Sequence, residues 1–418
     1  MKIKGLLAIA LAAFSLLPLS AAKHYVGGDI SLLDEYEKAG AKYKDQDNKP
    51  IADLVPWLAE QGMNAMRIRV FVNPSDYTGS DKDPNACQTI ESVTPLCKRI
   101  VDAGMDVMLD FHYSDFWADP AKQYTPKAWA NLTDEELYQK IYDYTKESLQ
   151  YLKEHGVVPA FIQPGNEISY GMLWGPEGTP RGDQKKCVSG NTANWDRFGK
   201  LLTNAIKACR EECPDAKIIL HTERITNVPI QTNFYNQMKN MNIDYDIVGL
   251  SYYPYFHGNL SNLNNALVSV TAQCPDKEVM IVETGYSYKW EVPGTTHDNT
   301  KEWPYTLAGQ DKFVKDLVAK CEEFPAVTGI FWWWMEYNAY GTSLGGWYNA
   351  PLFDSTTGKA TPALKTLCSF ADDDTAVDGI YSDENAGEGQ WFNIQGQPVA
   401  NPSAPGMYVR RGQKIIVK

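Results

Sequence analysis

The chain has 418 residues, 44% of them hydrophobic and 22% charged, and its 39 Lys+Arg against 52 Asp+Glu leave a formal net charge of −13. That length suits one large barrel or two modest domains. The acidic balance argues against nucleic acid, an anionic membrane surface or a polyanionic substrate, each of which calls for a basic face, so a neutral substrate is the easier reading. Aromatics at 12%, with 12 Trp and 24 Tyr, suit stacking on sugar rings and equally suit a large α/β core.

Lys2 and Lys4, the apolar run from Leu6 to Leu17 and the small residues Ser20-Ala21-Ala22 have the layout of a secretory signal, with the mature chain expected to begin near Lys23. The run is too short to span a bilayer, and no later stretch of about 20 apolar residues follows. No Cys follows it either, so an amino-terminal lipid anchor is not expected. The expected product is a soluble, exported protein, whether periplasmic, cell-surface or secreted. The eight cysteines allow 105 pairings and lack C-x-x-C spacing; a disulfide set and buried free thiols both remain open.

From Tyr25 to Phe370, eight short apolar runs alternate with amphipathic segments. The runs are 25–30, 65–72, 106–111, 158–163, 217–221, 247–252, 278–282 and 328–333, and helical patterns fall at 51–61, 89–103, 133–155, 192–213 and 309–322. Continuous apolar strands separated by helices indicate parallel pairing with both faces covered. Eight such units in about 350 residues fit a (β/α)₈ TIM barrel. A doubly wound open sheet is the competitor, weakened because no G-x-G-x-x-G turn follows the first strand. Asp372-Asp373-Asp374 reads as a linker. The tail to Lys418 has short segments split by Gly, Asn and Pro and reads as a small β-rich extension. The predicted organisation is therefore a signal peptide over 1–22, a barrel over 23–371, and a linker with tail over 372–418.

In such barrels chemistry sits at the carboxyl ends of the strands. Gln163-Pro164-Gly165-Asn166-Glu167 ends the fourth strand and Val282-Glu283-Thr284-Gly285-Tyr286 the seventh. These strands lie nearly opposite in an eight-strand ring, so Glu167 and Glu283 face each other across the mouth. Two facing carboxylates suit glycosidic bond cleavage. Asp29 ends the first strand. Arg67 and Arg69, two apart on the second, share a face and need a carboxylate partner, for which Glu283 is the natural candidate. His112 ends the third strand, followed by Asp115, Trp117 and Asp119; His221 with Glu223, and Tyr252 with Tyr253, end the fifth and sixth. Trp332-Trp333-Trp334 ends the eighth, and alternation lets only alternate members face the mouth. No serine-hydrolase elbow, H-E-x-x-H or P-loop is present.

These motifs resemble glycoside hydrolase family 53, the arabinogalactan endo-β-1,4-galactanases. The residues that carry the resemblance are Gly27-Gly28-Asp29-Ile30-Ser31, the run from Gly62 to Pro74, Asp110-Phe111-His112-Tyr113-Ser114-Asp115-Phe116-Trp117-Ala118-Asp119-Pro120, Gly165-Asn166-Glu167-Ile168, Gly249-Leu250-Ser251-Tyr252-Tyr253-Pro254 and Val282-Glu283-Thr284. The resemblance implies Glu167 as general acid/base, Glu283 as nucleophile and Asn166 as ligand of the hydroxyl next to the reacting carbon. It implies that Asp29, Arg67, Arg69, His112, Tyr252 and Trp333 line the central subsite, with Asp115 also among the substrate-binding residues, and that Trp117 and Trp347 are sugar platforms in flanking subsites. It implies a galactan or arabinogalactan substrate and no organic cofactor; a monomer is expected. Two departures stand out. Trp334 occupies a place where the family usually has Glu. In the segment resembling the calcium site of some bacterial members, His297 and Asn299 match and Asp298 could substitute, but Pro293 stands where an acidic ligand is expected, which weakens a structural calcium.

Overall fold

The computed structural model describes residues 23–79, 82–177, 185–188, 190–337 and 351–371, together with tail strands at 391–393, 398–399, 406–410 and 413–417. The expected signal segment, the linker at 372–374 and Trp347 lie outside the described residues. The chain divides into two compact units, Met1–Asp372 and Asp373–Lys418.

In the first unit eight parallel strands close a barrel in sequence order. They are β1 (Tyr25–Asp29), β2 (Ala65–Val70), β3 (Asp106–Phe111), β4 (Phe161–Pro164), β5 (Lys217–Thr222), β6 (Ile247–Tyr252), β7 (Glu278–Thr284) and β8 (Val327–Trp332), with β8 pairing back onto β1. The helices are α1 (Leu33–Lys38), α2 (Leu54–Glu60), α3 (Ile90–Asp102), α4 (Asp134–Glu154), α5 (Thr192–Glu212), α6 (Val228–Asn240), α7 (Pro254–His257), α8 (Leu260–Gln273), α9 (Leu307–Glu322) and α10 (Pro362–Cys368). Local chemistry sets their starts. Thr89 with Ser92, and Thr133 with Glu136, close reciprocal capping boxes at α3 and α4. Thr306 caps the Gly309 N–H and so starts α9 two residues before the apolar pattern does.

Strand alternation sorts the side chains. Val26, Ile68, Leu109, Ile162, Leu220, Leu250, Ile281 and Ile330 share a buried cluster with helix residues such as Leu96, Ile141, Leu201 and Phe313. The opposite face builds the barrel interior: Ala65, Met108, Phe161, Ile219, Ile247, Met280, Val282 and Phe331 pack as a separate apolar cluster. The next inward positions toward the carboxyl end are polar and buried on four strands, Arg67, Asp110, Gln163 and His221, and on β6 Gly249 intervenes before the buried Ser251. The interior thus changes from hydrocarbon to charge within one strand repeat, and the site rests on that apolar floor.

One irregularity decides the seventh strand. Leu250 pairs with Ile281 but Ser251 pairs with Glu283, so Val282 is an extra residue on β7. This bulge lets Val282 join the interior cluster while its neighbour Glu283 also reaches the mouth, which strict alternation forbids. Cys97, Cys187, Cys209, Cys213, Cys274 and Cys321 are buried free thiols.

The second unit is a four-stranded antiparallel sheet in the order β10-β9-β11-β12, from β9 (Trp391–Asn393), β10 (Pro398–Val399), β11 (Gly406–Arg410) and β12 (Gln413–Val417). The Trp391 and Tyr408 rings meet edge-on at 6.4 Å. No helix among the described residues is long and apolar enough to cross a membrane.

Gly27 permits the β1–β2 approach: a Cβ there would lie 1.6 Å from the Ala65 carbonyl oxygen. That neighbour is backbone and cannot rotate away. Gly27→Ala should therefore destabilise by at least the roughly 1–3 kcal/mol of an overpacked core, measured as a lower Tm or loss of soluble protein. A variant melting with the parent would contradict so close an approach.

Candidate active site

The polar layer is organised around Arg67. Its guanidinium is buried and lies 2.7 Å from Asp110 Oδ2, 3.4 Å from Asp29 Oδ2 and 3.0 Å from Glu283 Oε1. It also donates to Asn166 Oδ1 at 2.8 Å. Arg69 reaches Asp29 Oδ1 at 2.7 Å, and its guanidinium carbon sits 4.8 Å from the centre of a Trp117 ring. Of the two arginines, Arg67 meets the expected partner Glu283, whereas Arg69 is held by Asp29. Burial pulls Asp110 upward, but Arg67 and His112 more than offset it, leaving its carboxyl below the usual range. His112 accepts the Ala118 N–H on Nδ1 at 3.0 Å, so Nε2 carries the hydrogen that faces Asp110 Oδ2 at 3.2 Å.

Glu167 follows the end of β4 with φ +49°, a left-handed conformation that L-residues adopt at a cost. The preceding Asn166 is clamped through Nδ2 to the Ala118 carbonyl at 2.8 Å. Glu167 Oε1 is 2.7 Å from Ser251 Oγ, which is 2.7 Å from His221 Nε2. When the carboxylate is ionised, Ser251 donates to it and His221 supplies Nε2–H to the serine, with Nδ1 accepting from Gln163 Nε2 at 2.9 Å. The reversed orientation, with Nδ1–H directed at Asn166 Oδ1 3.0 Å away, serves the protonated acid. His221 is kept neutral because burial, then the Arg67 charge, pushes it well below its ordinary range.

The two glutamates have different surroundings. Burial raises Glu167 well above the carboxylate range, and the negative charges of Glu283 and Glu223 raise it further, against the Ser251 hydrogen bond. Burial also pushes Glu283 up to about 7, but Arg67 and the Tyr253 hydroxyl, 2.8 Å from Oε2, oppose it. Glu283 is therefore the first of the pair to ionise and Glu167 the one that keeps its proton. An oxygen of each, together with a ring nitrogen of His221, lies within 4.8 Å of the others. A cation would find little welcome there, since His221 already bonds Gln163 and Ser251, and Arg67 places a positive charge against Glu283. Both acids, with Asn166, His112, Trp117 and Trp333, line a cavity of about 610 Å³.

The chain matches the model for glycosyl hydrolase family 53 over residues 25–367. The chain belongs to family 53. It is 33% identical to the endo-beta-1,4-galactanase of Bacillus subtilis over 320 residues, covering 73% of this chain and 68% of that protein. It is 32% identical to the arabinogalactan endo-beta-1,4-galactanase of Cellvibrio japonicus over 364 residues, covering 81% and 89%. The family-53 catalytic domain of Ignisphaera aggregans superposes with TM-score 0.72 at 32% identity, covering 84% of this chain and 97% of that one. The catalytic core of a xylanase A superposes with TM-score 0.53 at 13% identity, covering 84% and 99%, a likeness of fold alone. The protein is accordingly a glycoside hydrolase.

Several expected site residues of this family-53 chain lie elsewhere. Tyr252 faces outward: its hydroxyl donates to the Gly258 carbonyl at 2.9 Å and its ring packs near Phe313. Alternation from Ser251 carries Tyr253 inward instead. Asp115 does not line the cavity; its two oxygens accept the N–H groups of Asn73 and Lys127, at 2.9 and 2.8 Å, and tie loops together. Trp333 and Trp334 both line the cavity, contrary to strict alternation, because β8 ends at Trp332 and Trp334 adopts φ +54°; Trp332 is the buried structural member. In the calcium segment Asp298 Oδ1 accepts the Thr300 N–H and hydroxyl, and Asn299 Nδ2 donates to the carbonyls of Pro254 and His297. Asp110, Gln163 and Ser251 are site residues the sequence reading does not single out, and period-two counting inward from Met108, Phe161 and Ile247 finds them.

Two outcomes follow from these environments. Tyr253→Phe should lower kcat at least severalfold with little change in Tm, while Tyr252→Phe should cost about 0.5–1.5 kcal/mol of stability with unchanged kcat/KM; the reverse pattern would restore Tyr252 to the site. A carboxyl whose folded pKa is raised lends stability only below its unfolded pKa, and that stability is lost as pH rises through the folded value. Glu167→Gln should thus melt higher than the parent, by a margin that widens as pH rises above the ordinary glutamate range. A margin independent of pH would show that burial does not raise Glu167.

Proposed function

We propose that the protein is an endo-β-1,4-galactanase that hydrolyses internal β-1,4-galactosidic bonds of galactan and arabinogalactan, the side chains of pectin, by double displacement with retained configuration. The observation that carries the mechanism is the approach of Glu167 and Glu283 oxygens to within 4.8 Å. So close an approach of single oxygens favours the roughly 5–5.5 Å carboxyl separation of retaining enzymes over the about 6.5–9.5 Å of inverting ones. Substrate choice is supported by the galactanase names of the B. subtilis and C. japonicus relatives.

Glu283, ionised and oriented by Arg67 and Tyr253, attacks the anomeric carbon as Glu167 passes its proton to the departing glycosidic oxygen. The resulting ester is then opened by water, whose proton goes to Glu167 while its oxygen joins the anomeric carbon and Glu283 leaves as carboxylate. Asn166, fixed by Arg67 and Ala118, stands where the hydroxyl next to the reacting carbon would lie. The indole of Trp117 and that of Trp333 offer apolar faces to neighbouring sugars. These residues suffice without an organic cofactor. Export is the reading that the leader-like composition of residues 1–22 supports.

Linear β-1,4-galactan should yield a spread of oligosaccharides early in digestion, while mannan and cellulose should yield no new reducing ends. Release of a single small product from the outset would oppose an endo mode. Glu283→Gln should fold and lose turnover, and Glu167→Gln should lose about 10²–10⁴-fold in kcat on galactan; near-normal activity in either would remove its assigned role.

A further inference from the structure

A third acid opens on the same cavity. Glu223 follows β5, is 6% exposed and lines the cavity with Glu167 and Glu283. Its Oε1 accepts Ser169 Oγ at 2.5 Å and faces Arg224 Nε at 2.8 Å, while Oε2 is buried without a hydrogen-bond partner. The segment bearing Glu167 is fastened to the segment bearing Glu223. Ile168 N–H donates to the His221 carbonyl at 2.9 Å, Glu167 N–H approaches His221 Nδ1 at 3.4 Å, and Ser169 bonds Glu223 itself. Arg224 is in turn set over the Tyr170 ring at 4.2 Å. The carboxylate is thus held at a fixed place beside the acid by contacts from two strand ends.

The charged and titratable groups around Glu167 come from every neighbouring element: Arg67 from β2, His112 and Asp119 from β3 and its loop, His221 and Glu223 from β5, Tyr253 and His257 from the end of β6 and from α7, and Glu283 from β7. Arg67 is committed to Asp110, Asp29 and Glu283, and His221 is neutral. The charges that raise Glu167 are those of Glu283, Glu223 and Asp119; Arg224 faces Glu223 at 2.8 Å and Lys122 faces Asp119 at 3.7 Å as their counter-charges. Resting on the reading of Glu167 as acid/base, we propose that Glu223 is a positioning residue for it: a carboxyl group fixed in place on the cavity wall whose negative charge, when ionised, keeps Glu167 basic enough to hold its proton before bond cleavage and to take one from water afterwards.

The second half-reaction is where this matters most. Once Glu283 has become a glycosyl ester its charge is gone, and with it the repulsion that favours a proton on Glu167. Burial pushes Glu223 up to about 7, against Arg224 and the Ser169 hydroxyl; above that pH its charge persists when Glu283 is esterified, and Glu167 remains a competent base when water must be deprotonated. Atoms balance without any further reactant: water supplies hydroxide to the anomeric carbon and its proton to Glu167.

The test is the pH profile of kcat/KM, whose basic limb reports the acid and whose acidic limb the nucleophile. Glu223→Gln should move the basic limb down by about one pH unit and leave the acidic limb in place. Glu223→Ser, uncharged and smaller, should do the same, and Glu223→Asp should keep the parent profile. A uniform loss of activity with a lower Tm and a stationary limb would make Glu223 merely structural; a raised KM with a stationary limb would make it a substrate contact. Either overturns the inference. In Glu167→Gln, assayed on an aryl β-galactobioside whose leaving group needs no acid, the basic limb should vanish. Its persistence there would refute Glu167 as the acid, whereas its loss there combined with a stationary limb in Glu223→Gln would refute only the role given to Glu223.

Discussion

A single buried guanidinium sets the terms for the site. Arg67 stands on the apolar floor of the barrel, out of water, within 3.4 Å of three carboxylates and within hydrogen-bond distance of Asn166. A cation in such a place is tolerable only because Asp29, Asp110 and Glu283 neutralise it, and it in turn offsets their mutual repulsion. Because strands β1, β2, β3 and β7 each contribute to this cluster, the electrostatics also ties the barrel's mouth together. Arg69 extends it toward the cavity by pairing with Asp29 and lying against Trp117. Charge balance, the Trp117 ring and the orientation of Glu283 are thus parts of one packed unit.

The difference between the two facing glutamates follows from that cluster. Glu283 is within reach of Arg67 and Tyr253, so its ionised form is solvated by protein groups. Glu167 has a serine hydroxyl in place of a cation, with like charges nearby and a strained backbone holding it over the cavity. Two chemically identical side chains take opposite protonation states through environment alone. His221 and Ser251 adapt to either state of Glu167, since the neutral imidazole can accept from Gln163 Nε2 or donate to Asn166 Oδ1 at Nδ1 while it donates to or accepts from Ser251 at Nε2. The cost is borne by stability: an acid kept at its site with a raised pKa works against the fold above the ordinary carboxylate range.

The barrel was legible because its signal is redundant. Eight apolar runs separated by helical patterns require parallel pairing whichever exact residues end each strand, and Glu167 and Glu283 were recognisable as residues at carboxyl ends of nearly opposite strands. The errors fall where a one-residue step reverses a direction. Tyr252 and Tyr253 are chemically alike and adjacent; pleating sends one to the helix layer and the other to Glu283. Val282 and Glu283 break the same rule in the other direction, since a bulge turns both inward. Trp334 escapes alternation because the strand has already ended. Asp115, sitting in a motif rich in sugar-binding types, spends both oxygens on backbone N–H groups.

The amino-acid sequence by itself determined the periodicities: where strands and helices form, which faces are apolar, and which strand ends carry acids, amide and indoles. These are local properties, written in spacings of two and 3.6 residues and in capping side chains. Tertiary structure alone decided which acid keeps its proton, which arginine and which tyrosine reach Glu283, and that Glu223 joins the cavity. Those outcomes depend on distances of a few ångströms between residues far apart in the chain and on the removal of water around them. Coulomb interactions and desolvation at that scale are set by barrel closure and by single-residue shifts in register, which no local pattern encodes.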